Sequence, residues 1–520
     1  MSVVIPDIGL GSIISRRAQL TPNRRAITFE DNTSTYAEFA DRIHRLAAVL
    51  RAGGVCRGDR VGYLGFNHPV FLETLYAASC LGAVFVPLNF RLTGPELEFI
   101  INDAGVHTLL VDDPLGPLIE AQQKTLCCQR YISVENPAHG WDYLADLLAA
   151  TEPVAGSEAV EANDVAFIMY TSGTTGLPKG AMLTHGNLYW NTVNAFFTEN
   201  TAGRVSLTCA PLFHIGGLNV TTLQGLSGGT EVVLHRQFDP GAVLRDIERY
   251  KVETMFGAPA MFLFMAQQPE FADTDIGSIQ SLICGGAPVP LPLIEIYAKR
   301  GVAFAQGYGL TETAPFASLL TTDMVAEKVG SAGLPPLFSE LRIVDEDNRP
   351  LGPNERGEVC VRGPNVMKGY WNRPDATAEA IDSENWFHSG DIGYLDEEGY
   401  LYICDRVKDM VISGGENVYP AEVESVIFEH DAVAEVAVIG LADEKWGEAV
   451  TAVIVFEKGC ELTLEQLREF AGAKLARYKL PLHLKTIDEL PRNPAGKVLK
   501  FRLKEIFESN RAVRVNDREG

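Results

Sequence analysis

The chain has 520 residues, 46% of them apolar and 22% charged, with a formal net charge of −24. That length exceeds one ordinary core and predicts roughly two to four domains or subdomains, while so negative a balance argues against non-specific binding to nucleic acid or to an anionic membrane. Nine cysteines without CxxC spacing, among them the adjacent Cys127 and Cys128, argue against a disulfide scaffold and against a cysteine–histidine metal site.

Met1 to Leu20 lacks the basic start and apolar centre of a signal peptide, and no later run approaches the roughly 18 apolar residues of a membrane span. A cytoplasmic protein without a transmembrane segment is therefore expected. After Thr33-Ser34-Thr35, the positions of Phe39, Ile43, Leu46, Ala47 and Leu50 predict a core-facing helix over Tyr36 to Ala52. Strand-like Asp59 to Phe66, helical Pro69 to Leu81, apolar Val84 to Leu88, helical Pro95 to Asp103 and strand-like His107 to Val111 follow. Such alternation predicts mostly parallel sheets covered by helices, an α/β fold.

Tyr170-Thr171-Ser172-Gly173-Thr174-Thr175-Gly176-Leu177-Pro178-Lys179-Gly180 comes after the apolar run Val165 to Met169. Its glycines let the backbone approach a polyanion, its hydroxyls add donors and Lys179 adds a point charge, so it reads as a phosphate-holding loop. It is not the GxxxxGK[ST] loop, which would need glycine at Pro178 and a hydroxyl at Gly180. Beyond it the alternation resumes with Ser206 to Cys209, Glu231 to Leu234, helical Pro240 to Tyr250, Thr254 to Phe256 and Leu282 to Cys284. Short alternating runs at Glu340 to Val344 and Gly357 to Val361, separated by turn residues, predict a small antiparallel subdomain at about 330–404. Strand-like Val436 to Ile439 and Ala449 to Phe456, with an amphipathic helix over Thr463 to Leu475, predict a small α+β module at the end.

Seven segments in fixed order resemble the acyl-adenylate-forming superfamily of acyl-CoA synthetases, peptide-synthetase adenylation domains and beetle luciferases. They are Tyr170 to Gly180, Pro211-Leu212-Phe213-His214, Gly285-Gly286-Ala287-Pro288, Gln306-Gly307-Tyr308-Gly309-Leu310-Thr311-Glu312-Thr313, Ser389-Gly390-Asp391, Asp405 to Asp409 and Pro491-Arg492-Asn493-Pro494-Ala495-Gly496-Lys497. Ile412 to Pro420 and Ala476 to Pro481 look most like bacterial fatty-acyl-CoA synthetases. The resemblance implies a large N-terminal adenylate-forming domain over 1–407 and a small mobile C-terminal lid domain over 408–520, hinged at Lys408.

It also implies ATP, Mg²⁺ and coenzyme A as co-reactants, and a chemistry in which an acid is joined to AMP before a thiol displaces it. Charge neutralisation must dominate that first step. By resemblance, Lys497 contacts the substrate carboxylate and the α-phosphate, while Thr171, Ser172, Gly173, Thr174, Thr175 and Lys179 grip the outer phosphates. Thr311 binds an α-phosphate oxygen and Glu312 coordinates the metal, as a hard cation prefers. Asp391 accepts the ribose hydroxyls with Arg406 in support. Tyr308, between Gly307 and Gly309 and next to Gln306, stacks on adenine opposite Gly286, Ala287 and Pro288. Rotation of the lid withdraws Lys497 and brings Gly414, Gly415 and Glu416 toward the thiol, with Trp446 and Tyr478 as walls for coenzyme A.

Some of these residues keep an ordinary packing reading too. His214 reads either as a core histidine or as the residue between acyl pocket and thiol tunnel, and Trp446 and Tyr478 read equally as packing residues. Leu480 stands near the place of an arginine found in some aryl-CoA ligases, with Arg477 and Lys479 as possible replacements. Ile215, Leu218, Val220 and Phe316 suit an apolar acyl pocket in which Gly216 and Gly217 leave space. The expected activity is an ATP-dependent acyl-CoA synthetase acting on a hydrophobic acid, with a fatty acid first. Alternatives are an aryl-acid CoA ligase, an adenylation enzyme loading a carrier protein, and a catalytically silent binding protein. Small-molecule acid, ATP and coenzyme A are the expected partners, with transient membrane contact and a monomeric or homodimeric state both left open.

Overall fold

The computed structural model describes residues 7–138, 140–171, 178–199, 203–286, 289–406, 409–413, 416–443, 446–475, 477–492 and 498–516. For 405–406, 412, 416–417, 447 and 509–516 the backbone alone is described. The chain forms two compact units, one of residues 1–341 and 361–388, the other of residues 342–360 and 389–520. Among the described residues no helix is long and apolar enough to cross a membrane.

The first unit holds two eight-stranded sheets. In one, the spatial order is Phe316–Leu320, Phe304–Gly309, Ser281–Gly285, Thr254–Gly257, Val205–Thr208, Glu231–Leu234, Arg25–Phe29 and Asn32–Thr35. The other runs Gly369–Tyr370, Lys179–Thr184, Val165–Thr171, Val84–Leu88, Arg60–Leu64, Val106–Val111, Arg130–Ser133 and Asp142–Tyr143. Most pairings are parallel; antiparallel ones occur at both ends of the first sheet and at the Gly369–Tyr370 end of the second. Val84–Leu88, Glu231–Leu234 and Ser281–Gly285 are buried along their whole length. Helices covering both faces of a parallel sheet account for apolar runs without alternation.

The helix expected over Tyr36 to Ala52 forms with those bounds. Thr35 closes a reciprocal cap with Glu38, and Phe39, Ile43, Leu46, Ala47 and Leu50 turn into the core. The Val165–Thr171 strand is followed not by a helix but by an antiparallel partner, Lys179–Thr184, with Thr171 opposite Lys179. Lys179 therefore opens a strand instead of closing a loop.

Within the second unit, Val433–Asp443 and Gly447–Phe456 form a long antiparallel pair. Glu416–Val418 and Val411–Ser413 extend the sheet, and His483–Thr486 adds a parallel strand. Helices Pro420–Phe428 and Leu464–Gly472 cover one face, where Val423, Ile427, Leu467 and Ala471 are buried. Thr463 caps the second helix reciprocally with Gln466. A small four-stranded sheet has the order Glu340–Val344, Gly357–Arg362, Phe387–Leu395 and Leu401–Arg406, the last two antiparallel.

Candidate active site

The motifs between 206 and 312 converge because parallel strands deliver their C-terminal ends to one edge of a sheet. Val205–Thr208, Thr254–Gly257, Ser281–Gly285 and Phe304–Gly309 are neighbours, with Phe256 opposite Ile283 and Gly285 opposite Gly307. Gly286, just past its strand, has φ +85° and nothing within 4 Å of where a Cβ would stand, so it is both a required glycine and an opening. That open backbone suits a flat ring system. Ala287 and Pro288 lie outside the described residues.

Gly309 has a more local duty. A Cβ there would meet the Pro315 carbonyl oxygen at 1.7 Å, so its glycine lets the chain fold back into Phe316–Leu320. The intervening Thr311–Thr313 turn carries Glu312 and is braced by buried amides. Asn365 Nδ2 donates to the Thr313 and Phe316 carbonyls at 2.7 and 2.8 Å. Asn191 Oδ1 accepts from the Phe316 amide at 3.2 Å, and Asn219 Nδ2 donates to the Ala314 carbonyl at 2.5 Å. Neither Asn365 nor Asn191 exposes any surface, which gives the turn a fixed course.

Glu312 itself is buried and accepts a hydrogen bond at Oε1 from the Tyr370 hydroxyl at 2.9 Å. Burial and the adjacent Glu312 carboxylate push the Tyr370 phenol well above the ordinary tyrosine range, so it remains the donor. Lys179 Nζ lies 5.2 Å from the centre of the same ring. The hairpin is tied down nearby, because Tyr170 donates to Asp103 Oδ2 at 2.7 Å and Arg373 donates to Asp103 Oδ1 at 2.6 Å. Half-buried Thr311 and buried Glu312 offer a hydroxyl and carboxylate oxygens, the ligand set that Mg²⁺ favours, and Lys179 adds a cation for phosphate. These donors fit a metal-bound polyphosphate.

His214 caps the short Ile215–Asn219 helix. It retains some accessible surface while lying deep among heavy atoms, and that burial, with help from the positive charge of Arg91, lowers its pKa to about 4. The imidazole is thus neutral near pH 7. Asn67 sets the preceding loop: its amide donates to the Ala210 and His235 carbonyls at 3.0 and 3.1 Å and accepts from the Leu212 N–H at 2.8 Å.

The expected free space at Gly216 and Gly217 is otherwise used. A Cβ on Gly216 would meet the Phe256 ring at 2.7 Å, and one on Gly217 would meet the Pro211 carbonyl oxygen at 2.3 Å. Phe256 also comes within 3.3 Å of a Cβ built on Gly285, and it packs on the cluster of Val220, Ile283, Ala305, Phe316 and Leu319. Sequence reading passed over Phe256 as the end of an ordinary apolar strand; its signal was two glycine pairs with no assigned packing partner. Tyr370 was missed too, although Gly369-Tyr370-Trp371 before a proline-started helix is an unusual aromatic cluster.

In the second unit, Asp391 stands opposite Arg406 across antiparallel strands. Asp391 is buried, its amide donates to Ser389 Oγ at 3.0 Å, and Gly390 before it has φ +69°. Glu416 pairs with Ser413 in the hairpin ahead of the Pro420–Phe428 helix. Trp446 and Tyr478 are 40% and 45% exposed, as a binding wall would require. Leu480 is packed into the core and Lys479 Nζ is 2.6 Å from Glu422 Oε1, so neither offers the cation found in some aryl-CoA ligases. Ser172, Gly173, Thr174, Thr175, Lys408, Gly414, Gly415 and Lys497 lie outside the described residues.

Parallel strand ends that present glycine backbone and a carboxylate, beside a hairpin bearing lysine, suit the class of enzymes that bind a nucleotide with its metal-bound phosphates. Residues 14–371 match the family described as AMP-binding enzyme, and residues 422–497 match the AMP-binding enzyme C-terminal domain. The chain belongs to the AMP-binding enzyme family. It is 45% identical over 500 residues to a feruloyl-CoA synthase of Amycolatopsis sp, covering 96% of this chain and 99% of that protein. It is 40% identical over 506 residues to a long-chain-fatty-acid–CoA ligase of Mycobacterium tuberculosis, covering 96% and 98%. The solved O-succinylbenzoate coenzyme A synthetase of Bacillus subtilis, in complex with ATP and magnesium ion, superposes with a TM-score of 0.84 at 35% identity, covering 95% of this chain and 99% of that one. The activity class is AMP-forming acid–CoA ligation.

Proposed function

We propose that the protein converts a hydrophobic aryl-substituted carboxylic acid to its acyl-adenylate and then to its coenzyme A thioester. The carrying observation is the Phe256 ring, which lies against Gly216 and beside Gly285 and so offers an aromatic face next to the glycines expected to line the acyl pocket. A flat ring gains from stacking there. The relative that makes feruloyl-CoA favours the same class. A fatty acid, the substrate expected from the sequence, is the second reading; the wholly apolar cluster at Val220, Ile283 and Phe316 and the relative named a long-chain-fatty-acid–CoA ligase favour it.

ATP, Mg²⁺ and coenzyme A serve the reaction. In the first step a carboxylate oxygen attacks the α-phosphorus and pyrophosphate leaves, so both reactants are anions and the protein must neutralise them. Lys497 supplies charge at the carboxylate and α-phosphate, Lys179 with Thr171 and its hydroxyl neighbours at the outer phosphates, and Thr311 at an α-phosphate oxygen. Glu312 holds Mg²⁺, which when bound neutralises the polyphosphate. Asp391 and Arg406 bind the ribose, while Gln306, Tyr308 and Gly286 receive adenine. Neutral His214 steers the carboxylate without acting as a strong base. In the second step the coenzyme A sulfur attacks the acyl carbonyl and AMP departs, after a rotation about Lys408 has withdrawn Lys497.

AMP release with coenzyme A, measured across straight-chain, branched and aromatic acids, tests the proposal. The aryl reading expects arylpropenoic or arylacetic acids to have the highest kcat/KM. A long-chain acid outrunning them all would transfer the assignment to the fatty-acid reading, and no AMP release with any lipophilic acid would overturn both.

A further inference from the structure

We infer that Tyr370 is a positioning residue that holds the metal-binding carboxylate and the phosphate-binding ammonium in register with each other. The inference rests on the proposed roles of Glu312 and Lys179 and assigns a third side chain to that end of the site. Its hydroxyl donates to Glu312 Oε1 at 2.9 Å, and its ring centre is 5.2 Å from Lys179 Nζ. One side chain therefore touches both groups, which arise from different elements 133 positions apart in the numbering (179 to 312).

The placement of Tyr370 is overdetermined by its backbone. Gly369 and Tyr370 pair with Met182 and Ala181 of the strand that begins at Lys179, and the Trp371 N–H donates to the Gly180 carbonyl at 2.8 Å. The Tyr370 N–H donates to Thr377 Oγ1 at 2.9 Å, and Gly369, at φ +139°, leaves no room for a Cβ beside the Thr377 side chain. On the other side the Met367 N–H donates to the Glu312 carbonyl at 2.7 Å. Four residues thus connect the backbone carrying the lysine to the backbone carrying the carboxylate. A carboxylate meant for a metal gains from a neutral donor that orients one oxygen and leaves the charge in place. An ammonium meant for phosphate gains from a ring face that attracts it without neutralising it.

The test compares Tyr370→Phe, Tyr370→Leu and Glu312→Gln with the parent protein, by calorimetric titration of ATP binding at a series of Mg²⁺ concentrations with no acid present. Tyr370→Phe keeps the ring and deletes the donor, so the Mg²⁺ concentration at half-maximal ATP affinity should rise about tenfold. Tyr370→Leu should also weaken binding of pyrophosphate, the ligand of the lysine end. For both variants, thioester formation from supplied acyl-adenylate and coenzyme A should stay within about twofold of the parent, a split that a general loss of fold would not give. An unchanged Mg²⁺ dependence in Tyr370→Phe while Glu312→Gln shifts it overturns the positioning role alone. An unchanged dependence in Glu312→Gln overturns the metal reading and this inference with it.

Discussion

Asp391 and Arg406 face each other across two antiparallel strands, with a register shift one residue beyond Asp391 at Ile392 and Gly393. The backbones of these two residues, fifteen positions apart, are thus held side by side by one antiparallel ladder. If that pair binds ribose, Asp391→Ala should raise the KM for ATP about 10- to 100-fold, the worth of one to two charge-assisted hydrogen bonds. Arg406→Ala should do less, and the double variant should cost less than the sum of the two. Steady-state kinetics at saturating acid measures this, and additive effects would separate the two residues into independent roles.

Lys497→Ala should abolish acyl-adenylate formation, read as ATP–pyrophosphate exchange, while thioester formation from supplied acyl-adenylate survives. Loss of both half-reactions to the same degree would contradict the division of labour. Lys408→Pro restricts φ at the proposed hinge and should impair thioester formation more than exchange. Exchange falling as far as thioester formation would remove the hinge from that residue.

Phe256→Ala should open the wall between Gly216 and Gly285. Activity toward arylpropenoic acids is expected to fall about tenfold in kcat/KM while longer straight-chain acids gain in relative terms. The panel used for the parent enzyme supplies the comparison, and an unaltered ranking of acids would show that the ring packs without selecting.

Stability should decline in mild acid. His185 is 1% exposed, its Nδ1 accepts from the Leu10 N–H at 3.4 Å, and burial lowers its pKa from 6.5 to about 4. Below pH 6.5 the unfolded chain takes up a proton that the folded chain refuses, so this stability is complete above about pH 6.5 and is lost as pH falls toward 4. The loss from His185 is on the order of 3 kcal/mol. His68 and His214, also lowered to about 4 by burial, act in the same direction. Asp112, raised to about 6 chiefly by burial, opposes them because its folded form gains a proton first. Melting temperature should therefore drop between pH 7 and pH 4.5, and His185→Gln should flatten that slope while lowering the value at pH 7.

Much of this architecture was legible in the chain because its strands are short apolar runs separated by capped helices. Tyr36 to Ala52, Val84 to Leu88, Glu231 to Leu234 and Pro240 to Tyr250 have the bounds that periodicity and caps predict. The Arg25–Phe29 and Asn32–Thr35 hairpin escaped notice because its turn, at Glu30 and Asp31, uses two non-glycine residues at positive φ. For the candidate site, motif spacing announced Lys179, Glu312 and Asp391, since those residues are charged or sit among glycines. Phe256, Tyr370 and Asn67 were not legible. Each works through a neighbour distant in sequence, so only the fold reveals what a phenyl ring, a phenol or a buried amide is touching.

The Thr171–Lys179 pairing has one more effect. Because alternate residues of a strand point to opposite sides, the ammonium's direction is set by ladder register and not by how the six residues before Pro178 are arranged. Lengthening that connection would change its reach and leave the cation aimed as before. Removing a single residue between Lys179 and Thr184 would instead advance Pro178 into the ladder, where it has no N–H to give, and turn the lysine toward the other face.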